Sequence, residues 1–405
     1  MPDNKLVIFG AGKIGRSFIG QLFSVGGYEV VFIDVIKPVI DELNSKRSYK
    51  VVFSSEEKEE IIDVRNVRGV NAENKQKVAY EVGTASIVAV SVGLNGLKKI
   101  FPLLAKGLLE RYKRDKKLPL DIIIAENQRN ADVLFRTELS GYLPLNYPFD
   151  ELVGLVETSI GKMVPIMNRK DMQKDILKII AEPYNTLILS KKAFKNPIPD
   201  IKGLAPKDNI KAWVDRKLFI HNLGHAISAY IGYLYSTSFI YIYEALAVRE
   251  IYGFVRAAMK QSADILRAKY PEEFTSAAIN EHIIDLLERF QNKALGDTIF
   301  RVGCDLNRKL SANDRLAGII HVALKHNLPY DKILFALVCA SRFKAKDEIG
   351  NMLKSDIEFV NHYKKGIKSI LTKICEFDEI EHKQLFIKAE KFDKQINHTF
   401  RQLLI

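Results

Sequence analysis

The sequence predicts an α/β protein, with a doubly wound parallel sheet in its N-terminal half and a mostly α-helical domain after it. Apolar runs rich in β-branched residues alternate with helical stretches through about the first 190 residues. From Asn209 onward, apolar residues recur three and four positions apart, as they do along a buried helix face. Alternating strands and helices form parallel β-α-β units with right-handed crossovers, which is why we expect this type of sheet.

Five short apolar runs are predicted to be strands of this sheet: Lys5–Phe9, Glu29–Ile33, Ser86–Val92, Asp121–Ala125 and Leu152–Glu157. The helical spacing of Ile14–Phe23 predicts a helix between the first two strands. The proline-rich residues 195–206 separate the two kinds of periodicity, so we interpret them as the crossing between domains. We therefore expect one domain at residues 1–200 and a second at residues 201–405.

Composition excludes several classes of protein. Apolar residues make up 47% and charged residues 27% of the 405 positions, as in ordinary globular proteins. Apolar runs such as Ile87–Leu94 are too short to span a bilayer. The first strand begins almost at the N-terminus, which leaves no room for a targeting peptide. Three scattered cysteines without a CxxC pair favour neither disulfides nor zinc, so we expect a cytoplasmic protein.

The charge balance favours a small anionic partner. Lys and Arg number 61 against 49 Asp and Glu, which gives a formal net charge of +12. An excess of this size attracts nucleic acid, acidic membranes or phosphorylated metabolites. The lysines are spread along the chain as pairs, without the long basic block typical of nucleic-acid binding. We therefore expect a small-molecule substrate, with no nucleic-acid or membrane partner, and the oligomeric state, a monomer included, stays open.

A glycine-rich turn between the first strand and its helix predicts a dinucleotide site of the Rossmann type. Its residues are Gly10, Ala11, Gly12, Lys13, Ile14 and Gly15. The first glycine makes the turn, the second admits a pyrophosphate and the third lets the helix pack closely on the strand. Asp34 ends the second strand, where a carboxylate binds ribose hydroxyls and repels a 2′-phosphate, so NAD is favoured over NADP. The alternative is a strand–turn–helix that binds no ligand.

The exit of the Ser86–Val92 run is a second candidate for the cofactor site. Ligands of doubly wound sheets bind beyond the carboxyl ends of the strands. Val92 and Gly93 would then line the cofactor, although the same residues are equally typical of a strand end that binds no ligand.

Three polar residues on one predicted helix could perform alcohol–ketone chemistry. On an α-helix, Lys217, Asn222 and His225 fall within an arc of about 140°. A lysine whose pKa is lowered by burial can take a hydroxyl proton, an amide can stabilise an alkoxide, and a histidine can orient the substrate. A solvent-exposed helix would show the same spacing. His221 and His225 have metal-ligand spacing, but Asn222 replaces the glutamate of HExxH and no third ligand is evident, so we expect no metal.

Three segments together resemble the polyol-specific long-chain dehydrogenases, the mannitol dehydrogenase family. Residues 10–20 (GAGKIGRSFIG) are similar to the nucleotide loop of its mannitol-1-phosphate branch. Residues 216–226 (RKLFIHNLGHA) match its KxxxxNxxH helix, and residues 308–316 (RKLSANDRL) resemble its RKLSAxDRL segment. The similarity runs from the first strand to beyond residue 340.

The resemblance implies a metal-independent reaction with Lys217 as the general base. It also implies that Asn127 and Asn222 form an oxyanion hole and that His225 binds the hydroxyl at the reacting carbon. We expect the site to lie between the two domains. We also expect Arg301 and Lys309 to contribute the positive charge that lowers the pKa of Lys217.

The resemblance further identifies Arg301 and Lys309 as substrate-binding positions. Lys309 and Arg308 are the candidates for a substrate phosphate. One departure concerns substrate choice, because Gly161 and Lys162 stand where the family has an Asp-Arg pair. A carboxylate that could anchor a hydroxyl or an ion pair is therefore missing.

The motifs predict an NAD-dependent oxidoreductase, and the resemblance implies that it interconverts a polyol, D-mannitol 1-phosphate, with its ketose, D-fructose 6-phosphate. Two alternatives stay open at this point. One is a relative that oxidises a non-phosphorylated polyol or reduces a keto-hexuronate. The other is a non-catalytic protein that senses NAD, with its positive charge serving nucleic acid.

Overall fold

The computed structural model describes residues 4–54, 59–165 and 175–404. The chain divides between Val214 and Asp215 into two compact units. Residues 1–3, on which the expectation of a missing leader partly rests, lie outside the described ranges. None of the described helices is long and apolar enough to cross a membrane.

The first unit is built on strands whose bounds are β1 (Lys5–Phe9), β2 (Glu29–Asp34), β3 (Ser48–Ser54), β4 (Glu59–Arg65), β5 (Val67–Asn71), β6 (Ile87–Val90), β7 (Leu120–Ile124), β8 (Val153–Ser159), β9 (Ile179–Ala181), β10 (Leu187–Ser190) and β11 (Leu204–Lys207). Eight of them form a sheet in the order β11-β10-β8-β7-β6-β1-β2-β5, and β4-β3-β9 form a smaller sheet. In the larger sheet β10 runs antiparallel to β8, and the pairs from β8 across to β5 are parallel. The predicted doubly wound sheet is therefore confirmed.

Helices cover both faces of the larger sheet because its strands alternate their side chains between two cores. Leu6 and Ile8 of β1 belong to one buried cluster, whereas Val7 and Phe9 belong to the other. The helical segments of this unit are Gly15–Gly20 (π-helical), Gln21–Val25, Lys37–Lys46, Lys75–Gly83, Leu94–Arg114, Ala131–Ser140, Phe149–Leu152 and Ile210–Arg216. The last of these helices spans the division between the units.

The proline-rich segment that we interpret as the domain crossing lies within the first unit. Its end forms the edge strand β11, in which Leu204 pairs with Leu187 of β10. Prolines are tolerated on an edge strand because one side of the strand needs no partner.

The strand order places a ligand crevice at β1, which has β2 on one side and β6 on the other. The order reverses at this point, and ligands of doubly wound sheets bind where it does. The register pairs Phe9 with both Ile33 and Val90, so the ends of the three strands are level. The glycine turn after β1 and the residues after β6 therefore meet at one edge of the sheet.

The regular elements described in the second unit are helices, as the periodicity predicts. Its segments are Lys217–Asn222 (π-helical), Leu223–Tyr235, Ile242–Leu246, Arg249–Lys269, Ser276–Phe290, Lys293–Leu295, Ile299–Gly303, Leu306–Lys309, Ala317–Lys325, Asp331–Ser341, Lys354–Tyr363, Ile367–Lys373, Lys383–Thr399 and Phe400–Leu404. Leu223–Tyr235 is the central helix, with nine of its residues buried, from Leu223 to Gly232. The helical C-terminal domain is thus confirmed.

Candidate active site

The glycine turn after β1 has the conformation that its three glycines predict. Gly10 has a φ of +101°, and a Cβ there would lie 2.2 Å from the carbonyl oxygen of Ser91. A Cβ on Gly15 would lie 2.1 Å from the carbonyl oxygen of Gly10, so the helix approaches the strand end closely. A Cβ on Gly12 would meet no protein atom within 4 Å. The turn therefore leaves open space at Gly12, the position where the backbone of a Rossmann turn approaches a pyrophosphate.

The Asp34 carboxylate reaches from β2 into this turn. Its Oδ2 accepts a hydrogen bond from the backbone N–H of Ala11 at 2.7 Å. Its Oδ1 accepts from the N–H groups of Val35 at 2.7 Å and Ile36 at 3.0 Å. Each carboxylate oxygen has two acceptor positions. Asp34 therefore fixes the turn, and its Oδ2 accepts one of these hydrogen bonds against two at Oδ1.

The residues after β6 lie beside the turn and are held by a glutamate from the loop after β7. Oε1 of the buried Glu126 accepts from the N–H groups of Val92 at 2.7 Å and Gly93 at 2.9 Å. Burial raises the pKa of Glu126, while these two N–H groups act in the opposite direction. Asn127, the next residue, is exposed on the loop after β7. The carboxyl ends of β6 and β7 are thereby tied together.

Two further residues of the predicted cofactor loop make packing contacts within the first unit. The Lys13 ammonium donates to the carbonyl oxygen of Pro165 at 2.9 Å. Ile14 is partly buried against the core under the larger sheet. Arg16, in the helix that follows, donates through Nε to the carbonyl oxygen of Ala11 at 2.7 Å. This hydrogen bond stabilises the conformation of the loop.

In the second unit, the predicted catalytic helix changes its hydrogen-bond register. Ile210–Arg216 is α-helical, Lys217–Asn222 is π-helical, and Leu223–Tyr235 is α-helical again. In an α-helix, Lys217 and Asn222 would be separated by about 140° around the axis. A π-helical turn is closed by i→i+5 bonds, so residues five apart lie on nearly the same side. The π turn therefore aligns Lys217 with Asn222 more closely than α-helical spacing predicts.

The ammonium of Lys217 lies in surroundings that favour its neutral form. Burial, with the positive charge of Arg315 as a second cause, lowers its pKa to about 8. The expectation that Arg301 and Lys309 lower the pKa of Lys217 is therefore wrong. The positive charge that lowers it is that of Arg315. About a tenth of a lysine with such a pKa is deprotonated at pH 7, and far more of it above pH 8.

His225 and Arg301 meet at a buried carboxylate. Nε2 of His225 lies 3.0 Å from Oδ2 of Asp297, and Arg301 forms an ion pair with Oδ1 of the same residue. Asp297 is only 5% exposed. The His225 ring stacks on Phe290, with their centroids 4.7 Å apart. Asp297 thus joins a predicted catalytic residue to a predicted substrate-binding residue.

The RKLSANDRL segment contacts the π turn through Arg315. This arginine is buried, its Nε donates to Asp314 at 2.8 Å, and its Nη1 donates to the carbonyl oxygen of Asn222 at 3.4 Å. Arg308 is half-exposed and pairs with Asp305 and with Asp314. The two motifs recognised in the C-terminal half therefore converge in one place.

Lys309 is the buried cation of this segment. It is 6% exposed, and its Nζ donates to the carbonyl oxygen of Val302 at 2.7 Å. Burial and the charge of Arg315 lower its pKa to about 8. An anion brought to this ammonium would raise its pKa again and stabilise the charged form.

Lys162, which stands in place of the arginine of the family's Asp-Arg pair, packs inside the first unit. It is 5% exposed and donates to the carbonyl oxygen of Tyr184 at 2.8 Å and to Asn185 Oδ1 at 3.2 Å. Its ammonium lies 4.1 Å from the ring centroid of Phe53. In this chain the position therefore makes cation–π and backbone contacts within the first unit.

His221, the other histidine of the helix, is buried one turn before His225. Burial, followed by the charge of Arg289, lowers its pKa well below the usual range, so it is neutral near pH 7. Its ring centroid lies 6.5 Å from that of His225. No group of three or more His, Cys, Asp or Glu side chains in the described ranges is placed to hold a metal ion.

Sequence reasoning missed Glu126, Asp297 and Asp314, the three carboxylates that hold the predicted residues in place. The i,i+4 spacing of Asp297 and Arg301 is the one signal that could have indicated an ion pair. Asp314 lies inside the RKLSANDRL segment and Glu126 directly precedes Asn127, but the partners of both carboxylates depend on the fold.

Two family models match almost the whole chain. The Rossmann domain of mannitol dehydrogenases matches residues 4–203, and the mannitol dehydrogenase C-terminal domain matches residues 209–399. A mannitol-1-phosphate 5-dehydrogenase of Buchnera aphidicola (subsp. Acyrthosiphon pisum, strain APS) is 29% identical over 92% of this chain and 94% of its own length. The same enzyme from strain Tuc7 gives the same figures.

Solved structures of two polyol dehydrogenases have the same fold. A substrate-free D-sorbitol dehydrogenase matches with a TM-score of 0.82 and 17% identity, covering 100% of this chain and 95% of the other. Pseudomonas fluorescens mannitol 2-dehydrogenase, solved with NAD and D-mannitol, matches with a TM-score of 0.76 and 13% identity, covering 99% and 93%. The two family models and the fold agree with the motifs of the sequence, and the chain is therefore an oxidoreductase of the mannitol dehydrogenase family.

Proposed function

We propose that this chain is an NAD-dependent, metal-independent dehydrogenase that interconverts D-mannitol 1-phosphate and D-fructose 6-phosphate. The observation that carries the proposal is Lys217, whose pKa is lowered to about 8 on a turn that it shares with Asn222. The names of the Buchnera relatives support the choice of a phosphorylated polyol. The glycine turn and Asp34 support NAD, since the carboxylate disfavours a 2′-phosphate.

Oxidation of an alcohol removes a hydride from carbon and a proton from oxygen. The glycine turn and Asp34 would hold NAD⁺, which would supply the hydride acceptor. In the proposed mechanism, neutral Lys217 Nζ takes the hydroxyl proton and becomes an ammonium. The Asn222 amide, with Asn127 of the first unit as the second proposed donor, stabilises the negative charge that develops on the oxygen.

His225 is the proposed orienting group for the reacting hydroxyl. The carboxylate of Asp297 lies against its Nε2, which limits the rotation of the ring. In the direction of ketose reduction, protonated Lys217 returns the proton to the oxygen, so the two directions require opposite protonation states. Each step moves a proton between named atoms without a metal ion.

Arg301, Lys309 and Arg308 are the proposed substrate-binding residues. Arg301 shares Asp297 with His225, which places it beside the orienting group. Lys309 supplies a buried ammonium on the segment whose Arg315 contacts Asn222. A phosphate at Lys309 would form a hydrogen-bonded ion pair with the ammonium, whereas a neutral polyol carries no charge to pair with it.

A substrate panel tests the proposed reaction. NADH absorbance would be followed with D-mannitol 1-phosphate, D-mannitol and D-sorbitol, and NADH consumption with D-fructose 6-phosphate and a keto-hexuronate. We expect the highest kcat/KM for the phosphorylated pair and a strong preference for NAD over NADP. Equal or better turnover of a free polyol or of the hexuronate would contradict the substrate assignment, and no turnover would favour an NAD sensor.

Lys309→Ala is expected to weaken binding of D-mannitol 1-phosphate by about one to two decades, because a charge-assisted contact contributes roughly 1.5–3 kcal/mol. Binding of free mannitol should change little. Affinities measured by calorimetry for both ligands decide the question. Lys325→Ala, which removes an exposed lysine of the same unit, is the matched control. Equal losses for the two ligands would show that Lys309 does not recognise phosphate.

A further inference from the structure

The backbone of the π turn at Lys217–Asn222 accepts hydrogen bonds from side chains elsewhere in the second unit. A π turn interrupts the i→i+4 bonding of the α-helical segments on both sides of it. A buried carbonyl without a partner costs free energy, so nearly all such groups are hydrogen-bonded. Side chains from elsewhere in the second unit are placed to bond the carbonyls of this turn.

Ser262, on the helix Arg249–Lys269, bonds the middle of the turn. The side chain is fully buried, and its Oγ donates to the carbonyl oxygen of Phe219 at 2.5 Å. Other buried serines of this unit behave differently. Ser228 and Ser341 bond the carbonyl four residues earlier in their own helices, at 2.9 and 3.0 Å. Hydrogen bonds from serine to the carbonyl four residues earlier are common within helices. The Ser262 bond instead joins the helix Arg249–Lys269 to the π turn.

The helix Arg249–Lys269 packs closely on the helix that follows the π turn. One turn before Ser262, Met259 packs on Gly224, where a Cβ would lie 2.5 Å from the Met259 sulfur. Met259 and Ser262 are three residues apart, so both lie on the helix face toward the turn. At the end of the turn, Arg315 holds the carbonyl oxygen of Asn222. The turn is therefore fastened in its middle and at its end.

We propose that Ser262 is a positioning residue for the dehydrogenase reaction. Its hydroxyl holds the Phe219 carbonyl in the π register, and this register aligns Lys217 with Asn222. The proposal rests on the proposed role of Lys217 as the base. Without the Ser262 hydroxyl, the turn loses the bond that favours the π register over an α-helical one. Lys217 then turns away from Asn222 and from its buried surroundings.

Ser262→Ala tests this assignment. We expect kcat for polyol oxidation to fall roughly ten- to a hundredfold, as small displacements of a reacting group do. NAD affinity should stay unchanged. In the wild type, kcat for oxidation should rise with pH as Lys217 loses its proton. In Ser262→Ala this ascending limb should move to higher pH, because a less buried Lys217 regains part of its ordinary pKa. Ser262→Thr keeps the hydroxyl and should retain the wild-type limb. If Ser262→Ala fails to fold, Ser262→Cys replaces it in the test. Because a thiol is a weak donor, this variant should show a smaller move of the ascending limb to higher pH.

Ser341→Ala is the matched control, since it removes a buried hydroxyl that bonds only its own helix. It should lower the melting temperature by a similar amount and leave kcat and the limb unchanged. A Ser262→Ala variant that behaves like Ser341→Ala would overturn the proposal. So would a crystal structure of Ser262→Ala that keeps the π turn intact.

Lys217→Ala separates this proposal from the proposed function. If the limb disappears in Lys217→Ala but is unmoved in Ser262→Ala, only the role of Ser262 is overturned. If the limb persists in Lys217→Ala, Lys217 is not the base, and the proposal that depends on it is overturned as well.

Discussion

Lys217→Ala should lower kcat for polyol oxidation by roughly 10²–10⁴-fold, the usual contribution of general-base catalysis. The alcohol proton must leave as the hydride departs, and the variant has no group to take it at that place. NAD affinity should stay near the wild-type value, because the glycine turn and Asp34 are unchanged. Steady-state kinetics and a separate NAD titration measure the two quantities.

Lys217→Arg is the sharper companion variant. It keeps a positive charge and a long side chain, but a guanidinium does not release its proton in this pH range. We expect it to be as slow as Lys217→Ala. A loss of less than tenfold in either variant would remove Lys217 from the role of base, and His225 would be the next residue to test.

Gly12→Ala should weaken NAD binding by about one to two decades without destabilising the protein. A Cβ at this position meets no protein atom within 4 Å, so the fold accommodates it. The proposed pyrophosphate would lie in that open space, and displacing it costs roughly 1–3 kcal/mol, as overpacking does. A titration with NAD and a thermal melt measure affinity and stability on the same sample.

Gly253→Ala is the matched control for this variant. Gly253 is exposed within the helix Arg249–Lys269, and a Cβ there also meets no atom within 4 Å. Alanine in a helix interior is favoured over glycine by roughly 0.5–1 kcal/mol, so this variant should melt slightly higher and bind NAD normally. Unchanged NAD affinity in Gly12→Ala would show that the cofactor does not approach the turn at Gly12.

Strands with a strong local signal were predictable from the sequence. β1 was predicted with its observed bounds, and β2 extends one residue further, to Asp34. The run Ser86–Val92 was predicted too long, because β6 ends at Val90 and the N–H groups of Val92 and Gly93 turn to Glu126. The edge strand β11 was not predictable, because its four residues (LAPK) show no alternation of apolar and polar side chains.

The π turns were not predictable from periodicity. Ile14–Phe23 was predicted as one helix, and the structure places a π segment at Gly15–Gly20 within it. A π turn differs from an α turn by a single residue in its bonding, which hydrophobic spacing does not resolve. The predicted angle of about 140° between Lys217 and Asn222 around the helix axis was therefore too wide, because that angle assumes an α-helix.

Contacts between distant segments account for the other features that were missed. Phe219 and Ser262 are 43 residues apart along the chain, and Asn222 and Arg315 are 93 apart. No local pattern joins such pairs, because their contact depends on how the helices pack. The motifs located the candidate residues, but the charges and hydrogen bonds around them could be identified only from the fold.

The pH dependence of kcat for oxidation of saturating D-mannitol 1-phosphate by the wild-type enzyme tests the central claim most directly, because bound phosphate raises the pKa of Lys309 and leaves Lys217 as the titrating group. Neutral Lys217 is the reactive form, and its pKa is lowered to about 8. The rate should therefore rise about tenfold per pH unit below that value and level off above it. Ketose reduction should fall through the same ionisation. A limb centred near the ordinary histidine pKa of about 6.5, or a rate independent of pH, would contradict the account.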